Sequence, residues 1–563
     1  MRTIKHLLCP MRDGILLATD VYLPDQEGRY QLVLMRTPYG RDHLPTEPLY
    51  EQFTQLIDDQ YAVAVQDLRG TGDSQGRLGL NGHHEHQDGY DAVQWLAQCD
   101  FCNGQVGMFG LSYPGFTQTA AAAYHPPALK AICPFMSPSL NPFGARQTMT
   151  LHMSHLAWAY SQLLEHPEHY LPDPEFRAKT LPLLQENAAH LNELLMELPL
   201  NQCRAAAIEG IDMFEDYREE VDQIENPAFW QKMNMPIDYD QVHTAAFYGT
   251  GWLDGAREWT IAGYRAARES RDEHTREQAR LLIGPWPHDG HLPQTVEGTD
   301  FGPSASGDTQ GVMNMMHRWF DRHLKGKSCD AIEARVRYFM QGSNTWHTAE
   351  DWPPPGAKPL KLYLGVKGQL VSSPAEEESR MIYEADPMHP TPSFVRDDQG
   401  RGLTADWHSV SCREDVVYFA TSPLTEPVRV AGAIRLHLHA ITNAPDTDFV
   451  CRLLDVDENG RETALAAGLI RAKYRKGFLQ KEFITPNEPF DYVIDVGNTA
   501  YFFAPGHRLA IQVCSYMYPD HDRNLNTLTP SNKGTTWAIA RQQILCGGTR
   551  ASWLEVPVLP ADS

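Results

Sequence analysis

The stretch Val106–Ala123 reads VGMFGLSYPGFTQTAAAA. Its first four residues form a short apolar run with β character. Its last seven, Thr117–Ala123, are an Ala-rich helical run. Between them Gly110-Leu111-Ser112-Tyr113-Pro114-Gly115 matches G-x-S-x-G with one extra residue before the final glycine. A serine on a sharp strand-to-helix turn is the nucleophile elbow of α/β-hydrolases. Small flanking residues let strand and helix approach closely, and the helix N-terminus favours negative charge beside the hydroxyl.

Outward from the elbow, the chain alternates strands and helices. Residues 15–26, ILLATDVYLPDQ, suggest an early strand. Leu32–Met35, Ala62–Asp67, Val106–Gly110 and Ala131–Pro134 are short buried-strand candidates. Helical runs at Tyr90–Ala97 and Gly115–Tyr124 lie between them. This alternation predicts a mostly parallel sheet covered on both faces. The pattern breaks near Asn141. Residues 145–235 read as helices, and strand-like runs return at Ala245–Gly249 and Leu281–Gly284. A helical insertion of that size suits a lid or a substrate pocket. Beyond Asp351-Trp352-Pro353-Pro354-Pro355-Gly356 the texture becomes β-rich: LKLYLG, DVVYFA, AIRLHLHAI, FVCRLLDV, YVIDVG, RLAIQVCS and ASWLEVPV, separated by Gly, Pro, Asn and Asp. That is the pattern of a sandwich or jelly roll.

The expected architecture is therefore α/β: an α/β-hydrolase core (1–140 and 241–335), a helical cap (141–240) and a C-terminal β jelly roll (336–563). The 563-residue length suits two to four domains at about 150 residues each. The net charge of −24 argues against nucleic acid as a partner. No apolar run of about 20 residues occurs, so no membrane span is expected. The opening MRTIKHLLCPMRDG is too short in its apolar part for a signal peptide. Ten sparse cysteines read as reduced thiols of a cytoplasmic protein. Cys99 and Cys102 have C-x-x-C spacing but no second pair for a zinc site.

A serine hydroxyl needs a base to become a nucleophile. In this fold the partners follow the serine in the order acid, then histidine. Asp254, in Tyr248-Gly249-Thr250-Gly251-Trp252-Leu253-Asp254-Gly255, would sit at a strand's carboxyl end. His288, after Leu282-Ile283-Gly284-Pro285-Trp286-Pro287, would sit after the next strand. His291 competes for the role of base, but strand position favours His288.

Taken together, these motifs resemble the cocaine esterase / X-Pro dipeptidyl-peptidase-like family of serine hydrolases, which includes α-amino-acid ester hydrolases and glutaryl-cephalosporin acylases. Further matching motifs are Arg36-Thr37-Pro38-Tyr39-Gly40, Asp67-Leu68-Arg69-Gly70-Thr71-Gly72-Asp73-Ser74 and Asn103-Gly104-Gln105-Val106-Gly107. In the β-rich part they are Asp446-Thr447-Asp448-Phe449, Gly506-His507-Arg508-Leu509 and Asp522-Arg523-Asn524-Leu525-Asn526-Thr527. The resemblance implies a triad of Ser112, Asp254 and His288, and an oxyanion hole of the Tyr39 hydroxyl and the Tyr113 backbone N–H. It implies hydrolysis of a small-molecule carboxylic ester with no metal or organic cofactor. Amide hydrolysis, as by a β-lactam side-chain acylase or an X-Pro dipeptidyl-peptidase, is the alternative. A non-catalytic binding protein is a rival of another class, and a homo-oligomer stays open. Exopeptidase activity is not expected, because the chain starts near its first strand while the dipeptidyl-peptidases carry a further N-terminal domain. Amino-acid ester hydrolases carry carboxylates just after the catalytic Asp, where this chain has Ala256-Arg257.

Three residues are candidates for the substrate pocket: Trp158 in the insertion, Trp252 beside Asp254, and Arg257, which could favour a carboxylate-bearing acyl group. Packing roles for the tryptophans and a solvated Arg257 beside Glu258 are the competing readings. Gly82-His83-His84-Glu85-His86 lacks the spacing of a zinc helix and reads instead as a helix start. Asp67 and Asp73, around a Gly-rich turn without a phosphate-loop lysine, suit an Arg–Asp brace beneath the active site.

Overall fold

The computed structural model describes residues 1–42, 51–79, 82, 84–137, 150–151, 153–233, 237–328 and 334–560. The expected cap boundary at 141, the helical reading of 145–149 and His83 lie outside them.

The first half is built on a ten-stranded sheet. Its early strands are β1 (Arg2–Pro10), β2 (Leu16–Leu23), β3 (Tyr30–Thr37) and β4 (Tyr61–Asp67). These are followed by β5 (Cys102–Leu111), β6 (Leu129–Phe135), β7 (Ala245–Leu253) and β8 (Ala279–Pro287). A small separate hairpin, β9 (Thr295–Val296) and β10 (Thr299–Asp300), comes next. Then β11 (Val336–Met340) and β12 (Thr345–Ala349) complete the sheet in the order β1-β2-β4-β3-β5-β6-β7-β8-β11-β12. Pairing is parallel from β4 to β11 and antiparallel at both ends. All seven residues of β4, YAVAVQD, are buried, as parallel strands covered on both faces require.

Two expectations change here. The first strand is Arg2–Pro10, whose mostly exposed residues hid it from a hydrophobicity reading. The sheet also continues past the expected core boundary at 335. Val336 pairs in parallel register with Leu281, so β11 and β12 add to β8 rather than starting the β-rich half.

Helices α1 (Glu51–Asp58), α2 (Glu85–Ala97) and α3 (Tyr113–Ala123) follow β3, β4 and β5. Ala120, Ala121 and Ala122 of α3 are buried, and their small side chains let the helix lie close over the sheet. The helix Val312–Lys325 buries Val312, Met315, Met316, Trp319, Phe320 and Leu324, one stripe at helical spacing. Each such side chain stabilises the fold by about 1.5–3 kcal/mol relative to an exposed one.

Between β6 and β7 lies the helical insertion. Its first helix among the described residues is α4 (Ser154–Glu165), and Pro174–Ala189, Asp212–Asp222 and Pro227–Met233 are among those that follow. Asp173 caps the second of these, accepting from the Glu175 and Phe176 N–H groups. Leu156, Tyr160, Leu163, Leu184, Phe214 and Tyr217 form the insertion's own core.

The second half is a jelly-roll-like β domain of eleven strands. In the strand Val428–Thr442 burial alternates along most of the length, whereas every residue of Asp448–Val456 is buried. The first therefore has one covered face and the second has two. A loop between the strands Arg508–Cys514 and Ala540–Cys546 reaches over the insertion. Asp522 Oδ1 accepts the Leu151 N–H at 2.7 Å, and the Asp520 carbonyl accepts the Met153 N–H at 3.0 Å. Arg471 holds Asp522 (3.2 Å) and Asp448 (2.9 Å), all three buried. The approach to α4 is thus fastened by the β domain. Among the described residues no helix is long and apolar enough to cross a membrane.

Candidate active site

Ser112 lies between the end of β5 and the start of α3 with φ 66° and ψ −126°. A non-glycine residue there costs about 1–3 kcal/mol and must be held by its surroundings. Its N–H donates to Phe135 O of β6 at 3.0 Å. Its carbonyl accepts from Gly115 and Phe116 N–H groups at 2.9 and 3.1 Å. The two glycines of the motif have steric roles. A Cβ at Gly110 would fall 2.4 Å from Pro114 Cβ, and one at Gly115 would fall 2.3 Å from Ser137 Cβ.

Asp254 follows β7 and His288 follows β8, and these strands are parallel neighbours with Leu253 paired to Pro287. Both side chains therefore stand at the carboxyl edge of the sheet, the same edge as Ser112. His288 Nδ1 is 2.7 Å from Asp254 Oδ1. The same oxygen accepts the Ala256 N–H at 2.8 Å, and Oδ2 accepts the Thr250 hydroxyl at 2.6 Å. The carboxylate is fully buried, so these partners replace its lost hydration. An ionised carboxylate only accepts, which places a proton on Nδ1 and leaves Nε2 as the lone-pair nitrogen. Burial pulls the His288 pKa down, but the hydrogen bond and charge of Asp254 outweigh it and leave it raised. His291, the competitor, is exposed, and the contact to Asp254 belongs to His288.

Tyr39 ends the turn after β3. Its hydroxyl is buried in the neighbourhood of the Ser112 and Trp158 side chains and the Tyr113 backbone N–H. Burial pushes its pKa up, and these neighbours oppose the rise. Indole and backbone N–H groups are donors only, so both favour the phenolate form and lower the pKa. Trp158, on α4, also stacks on the Tyr113 ring (6.0 Å between centroids, 15° between planes). The insertion thus contributes one aromatic residue to the serine's surroundings.

Several residues that hold Tyr39 carry no sequence signal of their own. The Tyr170 hydroxyl donates to the Pro38 carbonyl at 2.6 Å, and His169 Nε2 lies 3.1 Å from it. Arg41, two residues after Tyr39, bonds to Asp67, Asp73 and Asp20. This is the expected Arg–Asp brace, with Arg41 as its cation. The turn's own Arg69 pairs instead with Asp88 and Asp13.

Trp252 and Arg257 are engaged in packing contacts of their own. Trp252 is 3% exposed, donates its indole N–H to Phe339 O and packs on Trp352 (5.6 Å). It fills the junction between β7, β11 and the following segment. Arg257 bonds to Glu258, as the competing reading has it, but it is not solvated. Its guanidinium also donates to the Trp252 and Leu465 carbonyls, tying the helix after Asp254 to the β domain. The reason is common to both. Each sits next to Asp254 in the chain, yet its side chain points into the interdomain packing.

In the His-rich segment, Glu85 pairs with Arg36 at 2.7 Å, and burial pushes its carboxyl up to about 7. His86 packs against Phe116 and Tyr124, and burial pulls its pKa down to about 4. Among the described residues no group of three or more His, Cys, Asp or Glu side chains could hold a metal ion.

With this geometry, comparison with known proteins is specific. Residues 13–290 match the X-Pro dipeptidyl-peptidase (S15 family) model, and residues 331–555 match the X-Pro dipeptidyl-peptidase C-terminal non-catalytic domain. A cocaine esterase from Rhodococcus sp. (strain MB1 Bresler) is 31% identical over 548 residues, covering 93% of this chain and 92% of its own. The chain belongs to the cocaine esterase / S15 family. Among solved structures, an aminopeptidase from a marine sediment Thaumarchaeota archaeon superposes on this family member with a TM-score of 0.82 at 24% identity. It covers 99% of this chain and 96% of that one. An α-amino acid ester hydrolase gives a TM-score of 0.77, also at 24% identity, with the same coverage. These two likenesses show a shared fold across nearly the whole chain.

Proposed function

We propose that this S15-family enzyme hydrolyses small-molecule carboxylic esters through an acyl-enzyme on Ser112. The observation that carries the proposal is the buried Asp254 carboxylate bonded to His288 Nδ1 at the same sheet edge as the strained Ser112 elbow. His288 Nε2 takes the Ser112 proton as Oγ attacks the ester carbonyl. Asp254 holds the tautomer and stabilises the imidazolium. The Tyr39 O–H and the Tyr113 N–H hold the oxyanion. The alcohol leaves with the proton from His288. Water, activated by the same nitrogen, then releases the acid.

Ser112→Ala is expected to abolish turnover of p-nitrophenyl butyrate with the far-UV spectrum and melting profile retained. A fluorophosphonate probe is expected to label the native protein at Ser112. Full activity in the variant would sink the assignment, and absence of labelling would favour a binding protein. The S15 match also favours amide bonds as substrates. Comparing the ester and the amide of one acyl group tests this, and a faster amide would displace the esterase reading. The nine described cysteines are all unpaired, which supports a reducing, cytoplasmic location.

A further inference from the structure

The β domain carries a second nucleophile, base and carboxylate in line, remote in sequence from Ser112. The short helix His408–Ser411 sets His408 one turn before Cys412, so both side chains share a face. Cys412 is exposed, whereas seven other described cysteines are buried and Cys99 is half-buried. Cys412 Sγ is 3.5 Å from His408 Nε2. His408 Nδ1 is 3.1 Å from Oε1 of Glu462, the first residue of the strand Glu462–Arg471.

The chemistry of each partner sets the direction of the line. Glu462 is 4% exposed and its other oxygen accepts the Ser411 hydroxyl. Ser411 Oγ in turn accepts from Gln512 Nε2 at 2.8 Å. Asp406 Oδ1 accepts the backbone N–H groups of both His408 and Glu462 at 3.0 Å, fixing base and acid to one anchor. A carboxylate bonded to Nδ1 places the ring proton there and turns the Nε2 lone pair toward the thiol.

We propose that Cys412 is an activated surface thiol, a site of reversible mixed-disulfide formation with low-molecular-weight disulfides. His408 acts as base and Glu462 orients it. The thiolate is the attacking species in such exchange. Nε2 takes the Sγ proton as Sγ attacks one sulfur of the small disulfide. The Sγ–S bond forms while the original S–S bond breaks. The departing thiolate keeps that electron pair and takes the proton back from the imidazolium. Cys412 is thereby oxidised and half of the disulfide reduced to thiol, and excess thiol reverses the exchange.

The test uses the full chain with Cys99→Ser and Cys329→Ser (Cys329 lies outside the described residues). The probe is 5,5′-dithiobis(2-nitrobenzoic acid) in excess at pH 7, with the adduct mapped by mass spectrometry. One fast thiol is expected, reacting faster than free N-acetylcysteine in the same buffer. Cys412→Ser should remove this phase. His408→Gln should slow it at least tenfold, and ester turnover checks that the variant is folded. Since His408 is 62% exposed, the exchange to Gln leaves no hole in the core. A His–Glu pair that merely held the helix would leave the rate unchanged. A fast phase surviving Cys412→Ser, an equal rate in folded His408→Gln, or a rate no faster than N-acetylcysteine each overturns the proposal.

Discussion

Tyr39→Phe removes one oxygen atom and keeps the ring. That oxygen meets the Ser112 side chain, the Trp158 side chain and the Tyr113 N–H. Its loss has two consequences of different size. In the resting enzyme, donors beside it lose an acceptor, at about 1–3 kcal/mol of stability. In the transition state the oxyanion loses one of two donors, worth about 10²–10³ in turnover, or roughly 2.7–4 kcal/mol of barrier. The stability loss cannot imitate the rate loss. Even if the total were only about 5 kcal/mol, more than roughly nine-tenths of the molecules would remain folded at 25 °C. The assay is steady-state hydrolysis of p-nitrophenyl butyrate, with kcat and KM measured separately beside a thermal melt. A fall in kcat of about 100- to 1,000-fold is expected, with KM changed by less than about threefold and Tm lowered by a few degrees. A kcat within about twofold of the native value would remove Tyr39 from the oxyanion hole.

His288 must be neutral to act as base, so activity falls as pH drops through its raised pKa. The acid limb of the kcat/KM profile should inflect above the ordinary 6.5, and a limb at or below that value would contradict the Asp254 pairing. Asp254→Asn removes the raising partner, so the limb should move to lower pH while kcat falls by about 10⁴. The raised pKa also means that the His288–Asp254 contact stabilises the fold most at acid pH and fades as pH rises through it. Gly115→Ala drives a Cβ to 2.3 Å from Ser137 Cβ and 3.0 Å from Phe135 O. Overpacking of that kind costs about 1–3 kcal/mol and shifts the start of α3, so Tm and kcat should fall together. A native melting curve for that variant would show that the elbow needs no glycine there.

The strand-end positions of the proposed triad could be read from the sequence alone. Ser112, Asp254 and His288 each follow a buried strand, and a parallel sheet delivers the ends of its strands to one edge, whatever the insertions between them. The glycines around Ser112 were readable for the same reason, since a strand-to-helix turn constrains its neighbours locally. Side-chain direction beyond those strand ends was not readable. Trp252 and Arg257 adjoin Asp254 in the chain, yet packing against Phe339, Trp352 and Leu465 takes both into the domain junction. β1 escaped notice because an exposed edge strand leaves no hydrophobic pattern. The hold of Tyr170 on Pro38, of Asp522 on Leu151 and of Glu462 on His408 joins positions far apart in sequence. Such contacts leave no periodicity to detect, because each depends on one pair of side-chain and backbone atoms meeting in the folded chain. Local order therefore determined which groups could react. Long-range packing decided which of them are aimed, bonded and exposed.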